Sequence, residues 1–69
     1  MNNQKLALTT REHEIVDALC QGKCNKRIAR HLNISVGTVK VHLNKIYSKL
    51  GVQNRTALVI LTLTTGLGQ

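Results

Sequence analysis

The sequence predicts an all-α domain of four helices, and three observations carry that prediction. Proline, phenylalanine and tryptophan are absent and Tyr47 is the one aromatic residue, whereas a β-sandwich or barrel wants more aromatics and more turn signals. Apolar residues recur at helical spacing in four stretches. Each stretch is bounded by residues that cap or stop a helix. With 69 residues the chain amounts to one small domain, with an ordered core expected over about 8–67. A domain of this size buries little surface, so caps and a partner subunit are expected to matter.

The first helix is expected over 10–21. Thr9 and Glu12 have the spacing of a capping box, and Glu12 and Glu14 suit the positive end of the helix dipole. Ile15, Val16, Leu19 and Cys20 form its apolar stripe, and Gly22 supplies the left-handed stop. The second helix is expected over 26–32, with Ile28, Ala29 and Leu32 inward and Asn33 left-handed after it.

The third helix is expected over 36–50, between Ser35 as N-cap and Gly51 as stop. A turn of about 100° per residue sets Val36, Val39, Leu43, Ile46 and Leu50 on one side. The opposite side centres on Gly37, Val41, Asn44 and Ser48, with Lys40 and Lys45 at its edges and Thr38 near its start. The fourth helix is expected over 55–65, between Asn54 and Gly66, and its apolar residues surround the whole axis. A surface helix of a small domain needs one apolar face, so the second face points to a partner.

The formal charge is +7, and its placement is more informative than its size. Glu12, Glu14 and Asp17 all lie in the first helical stretch. Residues 23–55 hold Lys23, Lys26, Arg27, Arg30, Lys40, Lys45, Lys49 and Arg55 with no acid. Such a block calls for a polyanion, nucleic acid before membrane, because the acids of the first helix spoil a continuous basic amphipathic surface. No apolar run approaches the roughly 20 residues of a membrane span, and the polar start MNNQK does not read as a signal peptide. Cys20 and Cys24 lack a second pair at zinc-site spacing. They read as reduced thiols of a cytoplasmic protein, with Cys20 in the core. No metal or cofactor is expected. Nor is an enzyme: no paired carboxylates, activated nucleophile or phosphate-cradling glycine loop is legible. His42 reads as a packed structural residue, His13 and His31 as solvent-facing, and Tyr47 as half-buried.

The second and third helices with their short turn form a helix-turn-helix. Ala29 allows a close crossing, Asn33 takes the left-handed turn position, and Ile34 and Val39 plug the angle. A recognition helix enters the major groove of duplex DNA. Here small residues line its centre. Asn44 suits an adenine edge, Lys40 guanine acceptors, and Val41 a thymine methyl. Lys45, Lys49 and Thr38 lie where phosphates pass, and Lys26 and Arg27 extend that track.

The stretches LTTREHEIV, NKRIARHL, NIS, VGTVKVHLNKIYSKLGV and QNRT resemble the LuxR-type (GerE-like) helix-turn-helix domain over residues 8–67. The resemblance implies a four-helix DNA-binding domain of a bacterial transcription regulator, commonly dimeric through its fourth helix. It implies base reading by Lys40, Val41 and Asn44, and backbone contacts by Thr38, Lys45, Lys49 and Arg55. Family members usually have Ser or Thr where Cys24 stands and Glu where Arg27 stands. Asn25 is therefore expected to cap the second helix one residue later, leaving Arg27 for a phosphate. In the fourth helix, Leu58 and Val59 are expected inward, and Ala57, Ile60, Leu61 and Thr64 toward a second copy. Such domains usually follow a receiver or ligand-binding domain; this chain reads as either a stand-alone regulator or a part of a larger one. The competing reading is a protein-interaction module that holds a partner such as an RNA polymerase subunit and has only non-specific DNA affinity.

Overall fold

A computed structural model describes residues 8–65. Its described residues form four helices: α1 (Thr10–Cys20), α2 (Asn25–Leu32), α3 (Val36–Leu50) and α4 (Arg55–Thr65). The all-α prediction holds. Gly66, the expected stop of α4, lies outside the described residues.

Local chemistry accounts for where the helices begin. Thr9 Oγ1 accepts from the Glu12 amide at 3.1 Å, and Glu12 Oε1 accepts from the Thr9 amide at 2.8 Å. This reciprocal pair satisfies two N–H groups that the helix leaves without partners. Ser35 Oγ accepts from the Thr38 amide at 3.0 Å, and Asn54 Oδ1 from the Ala57 amide at 2.8 Å.

α2 departs from the expectation. It starts at Asn25, and Cys24 occupies the cap position without a side-chain cap bond. Asn25 does not cap the helix; it is the first helical residue, and its side chain accepts from Arg55 instead. A tertiary bond to a cation has outcompeted the local cap.

Three helices end in the same way. Gly22 (φ 85°), Asn33 (φ 59°) and Gly51 (φ 70°) adopt the left-handed region. The next residue then bonds back to the carbonyl five positions earlier: Lys23 N to Ala18 O at 3.2 Å, Ile34 N to Ala29 O at 2.9 Å, and Val52 N to Tyr47 O at 3.0 Å. These ends satisfy orphan carbonyls and aim Ile34 and Val52 at the core. The Ile34 bond lies in the turn between α2 and α3.

The core joins Ile15, Val16, Ala18 and Leu19 of α1, Ile28 and Ala29 of α2, Val39, Leu43 and Ile46 of α3, and Leu58 of α4. α1 packs against each of the other three helices, and α2 against α3. The expected stripe of α1 is corrected at its end, because Cys20 is exposed. It lies one step past Leu19, rotated off the buried line, and its Sγ meets Thr62 Oγ1 at 3.2 Å. Ala18, unclaimed by the stripe, is buried in its place. The half-buried Tyr47 and His42 and the exposed His13 and His31 stand as expected.

Two long-range ties complete the frame. Glu12 is 4 % exposed and its Oε1 receives the Lys49 ammonium at 2.7 Å, linking the start of α1 to the end of α3. Arg55 donates to Asn25 Oδ1 at 2.9 Å and to the Lys23 carbonyl at 2.6 Å, linking the start of α4 to the start of α2. No helix among the described residues is long and apolar enough to cross a membrane.

Candidate nucleic-acid interface

The outward face of α3 follows from its inward one. Val39, Leu43 and Ile46 are anchored in the core, so residues half a turn away must face solvent. Gly37, Thr38, Lys40, Val41, Asn44, Lys45 and Ser48 are all exposed. Val41 is 54 % exposed, a β-branched apolar side chain standing in water with no packing role that requires it. Among the described residues no side chain engages Lys40, Asn44 or Lys45. The midline is slim enough for the helix to approach a groove floor, and the cations stand at its sides.

Ser35 holds the entry to this helix. Its Oγ caps the Thr38 amide and shares a 2.9 Å hydrogen bond with Thr38 Oγ1. Thr38 is thus fixed at the N-terminus of α3, where amide groups and the helix dipole favour an anion. Beside the outer face runs a groove of about 570 Å³ lined by Thr9, Glu12, Asn44, Lys45, Ser48 and Lys49. It brings the cap of α1 alongside the assigned base reader Asn44. Thr9 was read in the sequence only as a cap, because nothing local shows which face of α3 the start of α1 meets.

Of the cations assigned to phosphates, the structure separates two. Lys49 is paired with Glu12, and Arg55 donates to Asn25 and Lys23, so both also tie the fold together. They were legible as charges, but their partners lie 37, 30 and 32 residues away in sequence. Lys26, Arg27 and Lys45 remain exposed. All three acids lie on α1: Glu12 is buried under Lys49, and Glu14 is paired with Arg11 at 3.3 Å. The remaining helices present an outer surface without a carboxylate.

Burial by itself would raise the Glu12 carboxyl above its usual range. The Lys49 ammonium and the Thr9 amide outweigh that effect, and the net shift is downward. At Cys24 the Arg27 amide, helped by the Lys26 amide and the Arg27 charge, holds the thiol below its usual range. Cys24 is therefore expected to react with iodoacetamide faster in the folded chain at pH 7.5 than in urea, since the thiolate is the nucleophile. Peptide mass spectrometry at timed quenches reads the two rates, and equal rates would remove the helix start as the cause.

On α4 the expected partner face is partly redrawn. Ile60 is 56 % exposed and Thr64 is exposed, while Ala57 and Leu61 are half-buried. Leu58 is buried as expected and Val59 half-buried. Leu63, not assigned to that face, is the most exposed large apolar side chain among the described residues, at 78 %. Ile60 and Leu63, three positions apart, share one side of the helix. Thr62 turns inward to Cys20 and to the Val59 carbonyl, which rotates Leu63 outward.

Residues 6–62 match the family model described as bacterial regulatory proteins, luxR family. The chain is 52 % identical over 50 residues to the putative HTH-type transcriptional regulator YhjB of Escherichia coli (strain K12), covering 72 % of the chain and 25 % of that protein. It is 54 % identical over 52 residues to the monoamine regulon transcriptional regulator of Klebsiella aerogenes, covering 75 % of the chain and 23 % of that protein. It is 50 % identical over 56 residues to the nitrate/nitrite response regulator protein NarP of Escherichia coli (strain K12), covering 81 % and 26 %. The chain spans about a quarter of the length of these relatives. The matched residues hold the helix-turn-helix, its caps and the outer face of α3. On this evidence the chain belongs to the LuxR family of bacterial regulatory proteins.

Proposed function

We propose that this domain regulates transcription by binding a specific site in duplex DNA, with α3 in the major groove. The observation that carries the reading is the outer face of α3. Its midline is slim and uncharged, its edges are cationic, and no side chain among the described residues engages the tips of Lys40, Asn44 or Lys45. Lys40, Val41 and Asn44 read base edges, and Thr38, Lys45 and Lys26 meet phosphates. Lys49 and Arg55 hold the frame that presents them. Similarity to transcription regulators supports the same reading.

Base and phosphate contacts are separable by experiment. Lys40→Ala and Asn44→Ala are each expected to lose about 1–3 kcal/mol of discrimination at particular base pairs. Lys45→Ala is expected to weaken all duplexes alike and to make the salt slope shallower by about 1. Fluorescence anisotropy on a selected duplex and its single-base variants distinguishes the two patterns. A uniform loss from all three variants would remove the assignment of α3 as reader.

The exposed side of α4 supports a homodimer, with Ile60, Leu63 and Thr64 facing the second copy and Ala57 and Leu61 at its margin. Ile60→Glu with Leu63→Glu is expected to abolish association while leaving the helical circular dichroism intact. Sedimentation at micromolar concentration reads the mass. The mass of the wild-type chain unaffected by these changes would assign that face to another protein, such as an RNA polymerase subunit.

A further inference from the structure

Two thiols have no part in the DNA-binding reading. Cys20 is the last residue of α1 and Cys24 the residue before α2, and both are exposed. Between them lie residues 21–23, with Gly22 left-handed and open space where its Cβ would stand. Cys24 occupies a cap position that an oxygen would serve better, and it makes no side-chain cap bond there. A local rule broken without an internal gain marks a place where function sets the residue.

The same short segment carries the attachment of α4. That helix packs mainly on α1, and two polar ties support it. One is Cys20 Sγ against Thr62 Oγ1 at 3.2 Å. Thr62 commits its single hydroxyl proton to the Val59 carbonyl at 2.7 Å, so in the bond to Cys20 the thiol is the donor. The other tie is Arg55, at the start of α4, which donates to the Lys23 carbonyl at 2.6 Å and to Asn25 Oδ1 at 2.9 Å. Each tie ends on or beside the segment that separates the two cysteines.

We propose that Cys20 and Cys24 form a thiol pair that a low-molecular-weight disulfide oxidises to an intramolecular disulfide, and that closing this bond loosens α4. Cys24 attacks first. It is accessible, the Arg27 amide holds its thiol below the usual range, and the thiolate is the nucleophile. Its sulfur bonds to one sulfur of the reagent, and the other half leaves as a thiolate. Cys20 gives its proton to solvent, attacks the Cys24 sulfur and displaces the second half as a thiolate. The two protein thiols lose two electrons and two protons, and the reagent disulfide takes them up as two thiols. The new bond holds the Cα atoms about 4.4–6.8 Å apart, and residues 21–23 are the part of the chain that adjusts to reach it. Closure consumes the Cys20 proton that Thr62 accepts, and the adjusted loop carries the Lys23 carbonyl away from Arg55. The inference goes beyond the DNA-binding reading and holds whatever partner α4 meets.

The test treats the dilute, folded chain with oxidised glutathione near neutral pH. Remaining thiols are blocked with N-ethylmaleimide, and peptic peptides are weighed without reduction. The peptide spanning both cysteines is expected to lose two hydrogens and to take up no maleimide, whereas C20S is expected to retain one glutathione on Cys24. Hydrogen exchange then compares the oxidised and reduced wild-type chain. Amides of α4 are expected to exchange about tenfold faster in the oxidised chain, and to recover their protection after dithiothreitol. C20S/C24S exposed to the same reagent is expected to show no change in exchange. Wild-type chain left with mixed disulfides, free thiols or a bond between two chains overturns the pair. An intramolecular disulfide with unchanged exchange in α4 overturns the switch.

Discussion

Glu12→Ala is expected to destabilise the domain by about 2–4 kcal/mol, a large part of the about 3–9 kcal/mol that a domain of this size commands. Two losses combine. The Thr9 amide at the start of α1 loses the acceptor that completes its cap, and cap losses cost about 0.5–2 kcal/mol. The Lys49 ammonium loses its partner as well. Breaking a fully buried pair costs about 3–5 kcal/mol, but the Lys49 side chain is 33 % exposed and regains part of its hydration. The melting temperature should fall by more than about 10 °C. Glu12→Gln keeps an acceptor for the amide and loses only the charge, so its effect should be smaller. A melt of Glu12→Ala that overlays the wild type would show that the tie contributes nothing.

The same carboxyl gives the fold a pH dependence of known sign. Its pKa is lower folded than unfolded. The stabilisation is therefore complete above the ordinary carboxylate range of about 4.3, and is lost as pH falls through the lowered folded value. The gap between wild type and Glu12→Gln should be constant near neutrality and close in that acid window.

Val41→Glu is expected to remove DNA binding, by about 100-fold or more, because a like charge placed against phosphate-lined DNA costs several kcal/mol. The fold should tolerate it. Val41 is 54 % exposed on α3, and Glu is the better helix former of the two. An anisotropy titration on a selected duplex reads the loss, and an unchanged melt assigns it to the interface. Retained affinity in this variant would mean that α3 does not enter the groove.

Most of the frame was legible because it is local. Thr9, Ser35 and Asn54 act on amides within three residues, and Gly22, Asn33 and Gly51 answer to their own backbone angles. The outer face of α3 was legible for a related reason: a regular helix fixes what lies opposite Val39, Leu43 and Ile46. Side chains at the edges of elements were not. Periodicity placed Cys20 next to a buried stripe, but only the path of α4 and its Thr62 decides that the thiol stays at the rim. Lys49 and Arg55 read as free cations because their partners belong to helices far away in sequence. Glu12 was legible as a cap and not as a buried ion, since one oxygen serves both. Leu63 was missed because five apolar residues in a row on α4, Ala57 to Leu61, leave the register undetermined until Leu58 and Thr62 are seen inside.

The central claim is that α3 reads sequence, and selection of bound duplexes from a random DNA pool at physiological salt tests it most directly. The account predicts an enriched motif with two related half-sites, weakened at defined base pairs by Lys40→Ala and Asn44→Ala. No enrichment, despite measurable binding at low salt, would contradict it: the charge of the surface would stand, and the reading of bases would not.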